Sequence, residues 1–142
     1  LVEAVITSEV KSSLAILDDI PWDRRNPGPS IRAAVQRLLR HHATEAGRFY
    51  AIAESLALYS PRFAQLKALL YAAVLRNVEQ LVAHMVPELN TDGQTRLAHV
   101  LVALIDGASL QVQYGRAAVP KNHVDDLADD VAAAIEQLLK SW

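Results

Sequence analysis

Histidines and tyrosine–carboxylate pairs are the side chains of this sequence best equipped for chemistry. There are five histidines and no cysteine, which excludes thiolate metal sites, disulfides and thiol nucleophiles. A carboxylate-bridged metal pair in a helical bundle needs Glu and His three residues apart, so that both project from one face. No histidine here follows an acidic residue at that spacing, and no HExxH sets two imidazoles one turn apart. His41 and His42 are neighbours and point about 100° apart on a helix. They are expected to face solvent or to favour the C-terminal dipole of their helix. Nothing in these spacings predicts a metal or a cofactor. A GxSxG elbow and a Walker loop are missing, and the five glycines are too dispersed to cradle a phosphate. No positive sign of an enzyme is present.

The remaining polar groups of interest are embedded in apolar helical stretches. Tyr50 and Glu54 stand one turn apart, and Tyr71 shares a face with Val74 and Val78. His99, Asp106 and Gln113 recur at seven-residue steps, with Thr95 and Ser109 nearby. Two readings are open: core aromatics with hydroxyls near the surface and a polar seam between helices, or a mostly apolar pocket with a few orienting groups.

The elements that carry these residues are helices. Alanine and leucine dominate, and β-strand alternation is absent, so the fold class is all-α. Apolar periodicity predicts a helix from Leu1 to about Asp19, ended by the proline-rich stretch 20–30. Ser30 is the expected N-cap of a second helix closing at HH, and Thr44 of a third reaching Tyr59. Ser60-Pro61 opens a long fourth helix to Val86, and a Thr91/Gln94 capping box the fifth. Asn122 is the expected cap of a sixth, whose Val124, Leu127, Val131, Ile135, Leu138 and Leu139 keep a near coiled-coil step. Trp22, in the long 20–30 connection, is placed to fold over the bundle as a lid.

The 142 residues, 51% hydrophobic, suit one domain with a real core. A formal charge of −2 supplies no long-range attraction for DNA or an anionic membrane. The arginines of the first third have Asp18, Asp19 and Asp23 beside them and read as a solvated face. No run is long enough to span a membrane, and residues 1–10, with no basic n-region and an early Glu3, are not expected to act as a signal peptide.

One segment has an excess of apolar surface. From Leu97 to Tyr114, Leu97, Leu101, Leu104, Ala108 and Val112 form one stripe, and Ala103, Gly107, Leu110 and Tyr114 a second. Such a helix sits in the middle of a large bundle or is shared between two chains, and the second explanation is preferred.

The segment order resembles the C-terminal half of TetR-family transcriptional regulators. Tyr59-Ser60-Pro61-Arg62-Phe63 is similar to the family's break before its long helix. LVALIDGASLQVQYG is similar to its LxALxDGLxLQ helix, with Asp106-Gly107 and Leu110-Gln111 in place. The resemblance implies a six-helix orthogonal-type bundle over residues 1–142 that binds a small, hydrophobic effector. It also implies a homodimer through a four-helix bundle of the last two long helices, with Ala103, Gly107, Leu110, Tyr114, Val124, Leu127, Val131 and Ile135 at the interface. Trp22, Tyr50, Glu54, Tyr71, Met85 and Leu104 are the expected ligand-binding residues. The family's helix-turn-helix is not in this sequence, so the chain is expected to be the cytoplasmic sensing part of a longer repressor. A stand-alone helical enzyme or carrier with a metal or lipid ligand is the alternative.

Overall fold

The computed structural model describes residues 1–56, 58–113 and 120–142, leaving aside the side chain of Lys121. Among these residues every regular element is helical: α1 (Val2–Asp18), α2 (Pro27–His42), α3 (Glu45–Leu56), α4 (Pro61–Met85), α5 (Thr91–Gln113), a 3-10 turn (Lys121–His123) and α6 (Val124–Ser141). The fold is all-α, and its helix order follows the periodicity of the sequence.

The caps differ from expectation in instructive ways. Helix α2 starts at Pro27, with Asn26 at the N-cap position but making no side-chain cap bond, and not after Ser30. Proline is tolerated in a first turn because the N–H it lacks would be unpaired there anyway. Ser30 therefore makes other bonds. Its hydroxyl donates to the Pro21 carbonyl (3.0 Å) and accepts from the Asp23 amide (3.1 Å), stitching the loop to α2. Asn90, not Thr91, caps α5, its side chain accepting from the Gly93 amide at 2.8 Å. Asn122 lies inside the 3-10 turn, and no side chain caps α6. The Ser60 cap is as expected, accepting from the Phe63 amide at 3.5 Å.

Two apolar clusters hold the bundle. In the first, Ile31, Val35 and Leu39 of α2 meet Ala108 and Val112 of α5 and Val124, Ala128, Ala132 and Ile135 of α6. In the second, Val78, Val82 and Met85 of α4 meet Leu97, Ala98 and Val102 of α5. Trp22, Leu101 and Leu139 pack against both. Helix α2 is also tied to α6 at the surface, where Arg32 makes paired bonds to Asp129 (2.8 and 2.9 Å) and Arg40 to Asp125 (2.7 and 2.8 Å).

Helix α5 packs against α2, α3, α4 and α6. Its first apolar stripe is thus largely buried within its own chain, whereas Ala103, Gly107 and Leu110 of the second stay exposed, so the middle-of-a-bundle explanation accounts only for the first. At 100° per residue, its buried arc runs from Leu97 round to Gln113, centred near Ile105. Leu104 lies about 100° from that centre and is 38% exposed. Val100, Ala103 and Gly107 share its outer face.

Candidate functional site

Between the two clusters and α1 lies a cavity of about 450 Å³, within the size range of small-molecule sites. All six helices contribute walls. Its deep end is apolar, formed by Leu17, Trp22, Ile31, Val82, Met85, Val102 and Ile135. Trp22 is fixed there by its indole N–H, which donates to the Leu17 carbonyl at 3.0 Å. The other end is polar and carries Glu9, Ser13, His42, Tyr50, Glu54, Lys67, Tyr71, Asp106, Ser109 and Gln113. Tyr71, Asp106 and Leu110, the most exposed lining residues, also lie at this end. The result is a blind apolar slot with a polar mouth.

At the mouth, Glu54 accepts from Lys67 Nζ (2.9 Å) and from the Tyr50 hydroxyl (3.2 Å). Burial, then the Glu54 charge and hydrogen bond, raise the Tyr50 pKa, so the hydroxyl stays protonated and donates. Asp106 keeps accessible surface because the cavity opens beside it, yet lies deep enough for desolvation to raise its carboxyl pKa. The Glu54 charge adds to that shift and Lys67 opposes it. Tyr71 is raised by desolvation and by Asp106.

Both histidines of the HH pair turn inward, contrary to the expectation that they face solvent or cap α2. His42 Nε2 meets Ser13 Oγ of α1 (3.2 Å) and its Nδ1 meets Ser109 Oγ of α5 (2.7 Å). A neutral imidazole offers one donor and one acceptor, and the hydroxyls adapt to either tautomer. Desolvation, with a smaller push from His41, lowers the His42 pKa to about 4. His41 Nε2 lies 2.9 Å from the carboxylate of Glu9, a buried residue of α1. The reason for the difference is that α1 and α5 supply polar partners to the end of α2.

Of the six residues expected to bind a ligand, Trp22, Tyr50, Glu54, Tyr71 and Met85 line the cavity, and Leu104 does not. Lys67, His42, Ser13, Ser109 and Gln113 also line it. For Lys67 the readable signal is its one-turn step to Tyr71. His42 has none, since its partners lie 29 and 67 residues away. The strip His99, Asp106, Gln113 does not share one environment: His99 is exposed and Gln113 buried. A straight helix drifts about 20° per heptad, which carries the strip from solvent, past the mouth, into the bundle.

Of the positions expected at a dimer interface, Ala103 and Gly107 are exposed, and Leu110, 46% exposed, lies at the cavity mouth. Val124 and Ile135 are 7% and 6% exposed within the chain's own core, where α2 covers them, and Leu127 and Val131 pack against that core. On α6 the exposed residues are Asp126, Asp130, Ala133, Ala134, Gln137, Lys140 and Ser141. Tyr114 lies outside the described residues. Among these, no group of three or more His, Asp or Glu could hold a metal ion, and no helix is long and apolar enough to cross a membrane.

The described helices thus form a six-helix bundle around an apolar cavity with a polar mouth. Residues 31–139 match the family of C-terminal domains of BetI-type transcriptional repressors. The chain belongs to this TetR-type family of regulator domains. No curated protein and no solved structure matches it.

Proposed function

We propose that residues 1–142 form the effector-sensing and dimerising domain of a cytoplasmic TetR-type repressor. A small, mostly apolar molecule occupies the cavity and changes DNA binding by the parent protein. DNA itself is contacted by a helix-turn-helix that is no part of this sequence. The observation that carries this reading is the cavity's use of α1. Ile6, Glu9, Val10, Ser13, Leu14 and Leu17 line it, so an occupant touches this helix along its length. Ser13 and Glu9 are also bonded to the histidines that end α2. A ligand that fits one setting of α1 better than another shifts the population toward that setting, by no more than its differential affinity. Two chains pair through the outer faces of α5 and α6, around Ala103 and Gly107.

Titration with the neutral apolar fluorophore N-phenyl-1-naphthylamine tests the site. Saturable binding of one probe per chain is expected, and its loss in Val74→Trp, whose indole grows into the slot, with helical circular dichroism retained. Unsaturable binding, or full binding by the folded variant, would contradict the reading.

A further inference from the structure

The polar mouth contains more negative charge than its own cation balances. Glu54 is satisfied by Lys67 and Tyr50, and Glu9 by His41. Among the described residues Asp106 has no hydrogen-bond or ion-pair partner, although it lies close enough for Glu54 to raise its pKa and Lys67 to lower it. A second observation points to a guest at the same end. Gln113, only 5% exposed, lines the cavity, and its side-chain amide likewise has no partner among the described residues. No described side-chain nitrogen or oxygen is sealed away without a partner, so the unpaired atoms of Asp106 and Gln113 stay accessible at the cavity they line.

The shape of the cavity restricts what can meet these groups. Its lining on α4 runs from Lys67 to Met85, about 27 Å at roughly 1.5 Å per residue. Beyond Tyr71 every α4 residue that lines it is apolar. An anionic head would find one ammonium already engaged and three carboxylates, Glu9, Glu54 and Asp106, opposing it. A neutral head would leave Asp106 without a counter-charge. A cationic head would gain Asp106 and the ring faces of Tyr50 and Tyr71, which favour cations.

Resting on the reading of this cavity as a ligand site, we propose that its occupant is a lipophilic amine. The ammonium sits at the mouth against Asp106 and Glu54, and the apolar body extends toward Trp22 and Met85. Gln113 pairs a further polar atom of the head.

The test is calorimetric titration of the chain with n-decylamine, decan-1-ol and sodium decanoate, which share a tail and differ in the head. The amine is expected to bind about tenfold or more tightly than either of the others, the scale of one charge-assisted hydrogen bond. Asp106→Asn should remove that preference and Asp106→Glu, which keeps the charge, should restore it, each with an unchanged circular dichroism spectrum. Decanoate binding as tightly as the amine, or an undiminished preference in Asp106→Asn, would overturn the proposal and leave the ligand-site reading standing. Failure of all three compounds, with N-phenyl-1-naphthylamine still bound, would also overturn the amine alone. Failure of the fluorophore as well would remove both.

Discussion

His42 is the residue at which the surroundings change chemistry most. In an unfolded chain its imidazole titrates near 6.5, whereas in the bundle it stays neutral down to about 4. As pH falls between these values the unfolded state takes up a proton that the native state refuses. Stability from this group is complete above the unfolded pKa and is lost as pH falls toward the folded one, on the order of 3 kcal/mol in all. Denaturant unfolding of His42→Gln and the parent chain between pH 7 and pH 4 checks this: the variant should lose less, and an identical loss would contradict it. The sequence showed that His41 and His42 diverge, and they do. It could not show where they point, because Ser13, Ser109 and Glu9 reach them only through tertiary packing. Tyr50, Glu54 and Tyr71 were legible as polar groups on inward faces, whereas Leu104 was misplaced by one step round the helix.

Among the elements, α2 and α6 hold the bundle through apolar contact more than charge. Leu39→Ala should cost about 2–5 kcal/mol by denaturant unfolding, as for other fully buried leucines. Arg40→Ala, which breaks an exposed pair, should cost far less; the reverse ranking would contradict this division. The first turn of α3 passes so close to the end of α2 that a Cβ on Gly47 would collide with the backbone of His42. Gly47→Ala should therefore destabilise by about 1–3 kcal/mol despite alanine's better helix propensity, and a stabilised variant would show that the two helices can part. Helix existence and order were legible because periodicity is local. Caps were less so: Pro27 fits a first helical turn, while Asn90 and Ser30 offered rival hydrogen bonds. The apolar step of α6 was legible, but not its partner. Val124 and Ile135 face α2, and periodicity cannot distinguish one's own core from a second chain.

For the whole molecule, the bundle leaves Val100, Ala103, Leu104 and Gly107 of α5 on an outer face, and a Cβ at Gly107 would meet nothing within 4 Å. Gly107→Glu should thus spare the chain's own packing and dissociate the proposed dimer in sedimentation velocity. A dimer that persists would place the interface elsewhere. The family was legible from short motifs around Ser60-Pro61 and Asp106-Gly107. The cavity was legible only as scattered polar residues, because its walls come from all six helices. Whether its occupant acts on α1 is the central question, and hydrogen exchange along α1 with and without saturating N-phenyl-1-naphthylamine tests it most directly. Slower exchange between Ile6 and Leu17 in the occupied chain is the expected result. Exchange there that is unchanged by a bound probe would contradict a sensing role for this helix.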